Sequence, residues 1–277
     1  MTDPRDEFLA KWQLTFPVLV AETDQAQVWR VVQADGRFAA LKLYRRSDRG
    51  NETHGSSLLR LWQSRGAVRI VQDEKSAVLM DWLDGPSLGD LARAGRPDAA
   101  LAVLAKIAGR LHHAPVVKDA ELKPLHEVFD PMFSCQFSLN CPSDFRRDMV
   151  RAMHLARTLL TSQPIATALH GDLHPDNVIL TDDGPRVFDA KGYLGDPAFE
   201  LANALRHPKG MVELVRQRSQ IERCLTLYSS AMNVSSERLA QWAAAKCALS
   251  IFWRADGQIK HDNEADLLHL LLEIVDQ

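Results

Sequence analysis

No stretch of this 277-residue chain stays apolar for the ~20 residues that a membrane-spanning helix needs. The opening residues MTDPRDEF are too acidic for a secretory leader. A cytoplasmic protein with no membrane partner is therefore expected. Cysteine is scarce, and Cys135, Cys141, Cys224 and Cys247 form no C-x-x-C pair and have no histidines at zinc-ligand spacing. That argues against a disulfide framework and against a structural metal, leaving reduced thiols. Nor does one sign of charge dominate. With 33 basic and 36 acidic residues the net charge is −3, which offers a polyanion no broad attraction, so nucleic acid is not an expected partner. The pairs Arg45-Arg46 and Arg146-Arg147 read as solvated faces. What remains is an ordinary globular composition, 46% hydrophobic and 25% charged, in a chain long enough for two lobes with cores.

The first third is rich in strand signals. Phe16–Val20, Gln27–Val32 and Phe38–Tyr44 are β-type runs, the last two joined across an Asp35-Gly36 turn, which together predict a meander. Ser76–Met80 predicts another strand, and Asp81–Pro86 (DWLDGP) reads as a hinge. Beyond it the period changes. Leu101, Leu104, Ala105, Ala108 and Leu111 share a helical face after the start signal Pro97-Asp98, and further helices are expected at 143–162, 197–207 and most of 210–275. His112 and His113, adjacent on a helix, point in different directions and do not form a metal pair.

The chemistry is concentrated in residues 170–192, HGDLHPDNVILTDDGPRVFDAKG. Asp172, Asn177 and Asp189 stand in the order that phosphoryl transfer from a magnesium nucleotide requires. Asp172 can hold and deprotonate a hydroxyl, while Asn177 and Asp189 offer the hard oxygens that Mg²⁺ prefers. Asn177–Leu180 and Pro185–Phe188 flank Thr181-Asp182-Asp183-Gly184, a hairpin signal that brings Asp189 back to Asn177. Pro175 disfavours helix at His174, as an irregular loop requires, and His174 and Asp176 are expected to shape that loop.

HGDLHPDN followed by DAKG and GDPAFELANALRHP resembles the aminoglycoside phosphotransferase family, most of all its streptomycin and hydroxyurea branch, and the resemblance is strongest over residues 168–208 and fair over 28–90. It implies an α+β, protein-kinase-like, two-lobed fold, with a small antiparallel β lobe over residues 1–83, a mainly helical lobe over 84–277 and a hinge at about 81–86. It also implies ATP and Mg²⁺, with a small-molecule hydroxyl as acceptor. Lys42, inside AALKLY, occupies the position of the lysine that pairs with the nucleotide α/β-phosphates, and a charged lysine in an apolar strand needs such an anionic partner. Glu52 is the residue chosen to orient it, on a helix across 51–65 or in a loop just before one. His170 resembles the histidine supporting the loop and the metal aspartate, and Glu200 the acid bracing the loop backbone. Asp196, before Pro197, is expected to cap a helix start. Backbone groups at Asp81 and Leu83 are expected to meet the adenine edge, with Met80 or Trp82 against the base or in the core.

Two departures stand out. Between the first two strands, Ala21–Gln27 (AETDQAQ) contains no glycine, so Thr23 and Gln25 are left as the phosphate donors. The branch's proline after the metal aspartate is Ala190 here, and Lys191 has no role that pattern alone defends. For a polycationic acceptor, Asp256, Asp262, Glu264 and Asp266 are candidate lining carboxylates, unless they are solvated. Three readings stay open: an antibiotic-inactivating kinase, a metabolic small-molecule kinase on the same scaffold, and a catalytically silent nucleotide-binding protein.

Overall fold

The computed structural model describes residues 4–113 and 121–277. After a short helix, Pro4–Lys11, five strands form an antiparallel sheet in the order β1-β2-β3-β5-β4: β1 Thr15–Glu22, β2 Ala26–Val32, β3 Phe38–Tyr44, β4 Ile70–Glu74 and β5 Ala77–Asp81. The meander and the strand before the hinge are where pattern places them; the first helix and β4 are additions. Strand alternation sorts β3 and β5 between two faces. Ala39, Leu41 and Leu43 of β3 and Ala77 and Leu79 of β5 join Phe8, Leu14 and Val31 in a core behind the sheet. Ala40, Lys42, Tyr44, Val78 and Met80 face the opposite way, into a cleft.

Residues 51–65 are less regular than a single helix. A 3₁₀ turn at Gly50–Glu52 precedes an α-helix at Gly55–Trp62, so Glu52 lies on the turn before the helix. The hinge is tied to the catalytic hairpin. Leu180 donates its N–H to the Pro86 carbonyl at 2.9 Å, and Ser87 then opens the next helix with a capping box to Asp90. The hairpin itself pairs Val178–Thr181 with Gly184–Val187, Val178 opposite Val187.

The rest is mainly helical: Pro97–His112, Ser143–Thr161, Arg218–Met232, Ser236–Arg254 and Ala265–Val275. Ser236–Arg254 is central and buried along most of its length, including Trp242 and Lys246. All four cysteines are unpaired. Among the described residues no helix is long and apolar enough to cross a membrane. The helix expected at 197–207 is instead two 3₁₀ segments, Pro197–Phe199 and Ala202–Arg206. Asp196 caps the first by accepting from Ala198 N–H at 2.9 Å, and it also accepts from the Arg238 guanidinium and from Trp242 Nε1 at 2.8 Å. A fully buried carboxylate thus joins this segment to the central helix. Asp196→Ala strands the buried indole N–H and removes the carboxylate partner of the guanidinium, and urea unfolding is expected to show a loss of about 3–5 kcal/mol.

Candidate active site

The cleft between the sheet and the helical part holds a cavity of about 610 Å³. Thr23, Gln25, Lys42, Glu52, Asp81, Leu83, Asp189 and Lys191 all reach its wall. Lys42 Nζ donates to Glu52 Oε2 and, at 2.5 Å, to Asp189 Oδ1. Lys191 Nζ closes the figure from the other side, donating to Glu52 Oε1 at 3.0 Å and Asp189 Oδ2 at 3.2 Å, with Asp172 Oδ2 at 3.9 Å. Two ammoniums therefore bridge the same two carboxylates. Burial alone would raise the pKa of Asp189, but Lys191 and Lys42 hold it well below the usual carboxylate range. Burial works against the Lys191 charge too, yet Asp189, Glu52 and Asp172 keep its pKa well above that of an ordinary lysine.

Backbone geometry holds this cluster in place. Asp189 has φ 63°, a left-handed conformation that a non-glycine residue adopts at a cost and that is concentrated at functional sites. Gly55 allows the segment after Asp189 to lie against the Glu52 turn, since a Cβ there would stand 1.8 Å from the Ala190 carbonyl oxygen. Asn177 N–H bonds to the His174 carbonyl and its Nδ2 to the Asp172 carbonyl at 2.9 Å, while Phe188 N–H returns to the Asn177 carbonyl at 3.2 Å. The hairpin thus sets Asn177 beside the chain entering Asp189. Asn177 Oδ1 has no protein partner among the described residues, so an amide oxygen and a carboxylate remain as a hard donor set suited to Mg²⁺.

Around the loop, His170 Nε2 donates to the Phe188 carbonyl at 2.9 Å. Glu200, fully buried, accepts from the N–H groups of His170 and Gly171 at 2.8 and 3.2 Å and meets His112 Nε2 at 2.7 Å. His112 thus helps keep the Glu200 carboxyl ionised: burial raises its pKa, and the bonds and charges of His112 and His170 more than reverse this. His174 stacks on His207 at 3.7 Å and accepts from Asp176 N–H. Burial, then His207, push its pKa down to about 3, which leaves it neutral. Asp176 is held by Arg93 at 2.8 Å and Lys209 N–H at 3.1 Å.

Pattern missed three residues next to Asp172. Asn203 Nδ2 donates to Asp172 Oδ1 at 2.8 Å, and its own Oδ1 accepts from Arg206 Nη1 at 2.6 Å and Lys246 Nζ at 3.2 Å. Lys191 completes the set. A lysine inside an otherwise small and apolar helical run, Ala243–Ala248, was the available signal for Lys246. Burial raises the Asp172 pKa, but His174, Lys191 and Lys246 outweigh it and hold the group at about 2.

The structure narrows three expectations. Thr23 Oγ1 accepts from Gln25 and Ala26 N–H and lies 3.2 Å from the Ala26 carbonyl, so it builds the β1–β2 turn and is not free to donate to a phosphate; Gln25 keeps its place on the cavity wall. Asp81 gives its N–H to the Arg69 carbonyl at 3.0 Å and its carboxylate to the Arg69 guanidinium, leaving the Leu83 N–H as the hinge donor without a backbone partner among the described residues. The carboxylates considered for a cationic acceptor are occupied: Asp262 by Arg254, Glu264 by Arg206 and Arg254, and Asp266 by Arg216. Asp256 is exposed on a turn.

A β lobe and a helical lobe enclosing a lysine–glutamate–aspartate cluster define a protein-kinase-like phosphotransferase. The chain belongs to the aminoglycoside/hydroxyurea antibiotic resistance kinase family, whose model matches residues 11–257. It is 30% identical over 250 residues to streptomycin 3''-kinase of Klebsiella pneumoniae, covering 88% of this chain and 90% of that protein. It is 31% identical over 251 residues to streptomycin 6-kinase of Streptomyces griseus, covering 88% and 79%. In fold it is similar to a choline/ethanolamine kinase family protein from Mesorhizobium loti, with TM-score 0.68, 16% identity and coverage of 97% and 92%. A complex of the aminoglycoside phosphotransferase APH(4)-Ia with ADP and hygromycin B has TM-score 0.64 and 13% identity, covering 99% and 98%.

Lys246 sets a pH test. Burial, then Arg206, lower its pKa to about 7 from the lysine value of 10.5. The unfolded chain therefore binds more protons between these values, and stability from this group rises with pH across that window and is lost as pH falls through 7. Lys246→Met should cost least below pH 7, and denaturation at pH 6 and pH 9 should differ in mutational effect by about 2 kcal/mol.

Proposed function

We propose that this kinase transfers the γ-phosphoryl group of ATP to a hydroxyl of a streptomycin-class aminoglycoside. One observation carries the reading: Lys42, Asp189 and Lys191 meet at the cavity wall, and Lys191 links them to Asp172. Lys42 pairs with the nucleotide phosphates, while Glu52 steers it. The Leu83 N–H and the Asp81 carbonyl are the hinge groups assigned to the base edge, and Asp81, Leu83 and Met80 all line the cavity. Mg²⁺, when bound, neutralises charge on the β- and γ-phosphates, and Asn177 Oδ1 and the Asp189 carboxylate are the oxygens that hold it.

Asp172 directs the acceptor hydroxyl in line with the γ-phosphorus. Asn203 occupies Asp172 Oδ1, which leaves Oδ2 for that hydroxyl. The bond between the γ-phosphorus and the bridging oxygen of ADP breaks as the acceptor oxygen bonds to phosphorus, and the hydroxyl proton passes to Asp172. In a loose transition state the attacking oxygen gains little bonding early, so proton transfer to Asp172 trails bond cleavage. Positioning and charge supply most of the acceleration. Glu200 and His170 brace the loop that carries Asp172. The β lobe, residues 1–83, and the helical lobe, residues 84–277, close on the nucleotide about the hinge at 81–86.

Streptomycin and hydroxyurea relatives favour the antibiotic acceptor. Occupation of the C-terminal carboxylates by arginines favours a second reading, a less cationic hydroxylated metabolite. A panel of streptomycin, hydroxyurea, sugars and amino alcohols with Mg·ATP, read by mass spectrometry of the product, separates them; a product of streptomycin about 80 mass units heavier is expected, the increment of one phosphoryl group. Asp172→Asn should lower kcat about 10²–10⁴-fold while Mg·ATP still binds. An Asp172→Asn enzyme with full turnover, or a wild type that phosphorylates only uncharged metabolites, sinks the corresponding part of this reading.

A further inference from the structure

We infer that Lys191 is a catalytic residue whose ammonium leaves Asp189 when the metal nucleotide enters and takes an oxygen of the phosphoryl group in flight. The inference rests on the transfer reading above and adds a contact to it. The ammonium stands 3.2 Å from Asp189 Oδ2 and 3.9 Å from Asp172 Oδ2, between the acid assigned to the metal and the acid assigned to the hydroxyl. A phosphoryl group passing in line from a nucleotide whose metal sits on Asp189 to a hydroxyl held by Asp172 travels beside that interval.

Charge balance gives the reason for the move. Glu52 and Asp189 share the two ammoniums of Lys42 and Lys191, while Asp172 faces Lys191 and, through Asn203, Lys246. A dication on Asp189 competes for both carboxylate oxygens, which the two lysines now occupy, and the phosphates that come with it bring anionic oxygens into the same space. Lys191 then has an anionic oxygen as its best new partner, and Glu52 Oε1 at 3.0 Å keeps it from swinging away.

The ammonium is also pre-positioned. Lys191 N–H bonds to the His170 carbonyl at 2.7 Å, and the side chain is buried. Gly192, at φ 75°, packs so closely that an added Cβ would lie 2.6 Å from the His54 carbonyl. A cation fixed before the reaction, with little reorganisation left to do, stabilises charge that spreads over the equatorial oxygens in the transition state. During transfer the bonds change as already written, and Lys191 donates hydrogen bonds without giving up its proton.

The test uses the full chain, calorimetry and fluoroaluminate, which with Mg·ADP mimics the phosphoryl in flight and so needs no acceptor. Wild type is expected to bind Mg·ADP with AlF₄⁻ at least about 100-fold more tightly than Mg·ADP alone, as transition-state mimics do. Lys191→Met should keep its Mg·ADP affinity within about 2-fold and lose most of the fluoroaluminate gain, with Lys191→Arg restoring part of it. An unchanged gain in the Met variant overturns the proposal, and so does a parallel loss of Mg·ADP affinity, which marks a brace for Glu52 and Asp189 only. Absence of any gain in wild type overturns it as well. If the Met variant does not fold by thermal melting, Lys191→Arg decides: a gain between wild type and none supports the contact, and a full gain or none with intact Mg·ADP binding rejects it. Failure of the acceptor panel alone, with the fluoroaluminate result intact, counts against the aminoglycoside reading and leaves Lys191 in place.

Discussion

Two lysines bridging two carboxylates hold the cleft together. Lys42 arrives from β3, Glu52 from a 3₁₀ turn, and Asp189 and Lys191 from the segment after the catalytic hairpin, so a single charge cluster joins the sheet to the helical part. Its members are buried or largely so, and an ammonium or carboxylate in that setting is tolerable only when paired and hydrogen-bonded. Each group is therefore held by the others, and the left-handed backbone at Asp189 persists because its surroundings over-determine it.

A second polar network stands behind the first. Asp172 is reached by Asn203, which Arg206 and Lys246 orient by taking its amide oxygen, and the loop backbone is gripped by Glu200 with His112 behind it. Glu200 and Asn203 are only three residues apart on a tightly wound segment, which lets both face the 170–172 loop. The cost of this segment's irregularity is carried by Asp196, whose buried carboxylate ties it to Trp242 and Arg238.

How much of this was legible depends on how local the signal is. The hairpin from Val178 to Val187 could be read because Asp-Gly chemistry and alternating strands are written in consecutive residues. Lys42 stood out because a charge in an apolar strand is locally anomalous. Thr23 was misread because a threonine beside polar residues looks the same whether its hydroxyl faces a ligand or closes its own turn. The pairing of Asp262, Glu264 and Asp266 is invisible for a related cause, since their arginine partners, Arg254, Arg206 and Arg216, lie 8, 58 and 50 residues away. Residues 197–207 have helical periodicity, yet aiming Glu200 and Asn203 at one loop goes with the tighter 3₁₀ turns seen here.

The sequence by itself determined the order of chemistry-bearing groups, the strand and helix periods that place them, and the turn that brings Asp189 back to Asn177. These follow from side-chain periodicity and backbone preference over a few residues. Only the tertiary structure decided which charges meet: Lys191 against Glu52, 139 residues away, Asn203 against Asp172, and arginines against the C-terminal acids. Electrostatic pairing acts through space over a few ångströms, and nothing along the chain encodes which distant groups the packing of a core will bring within that range.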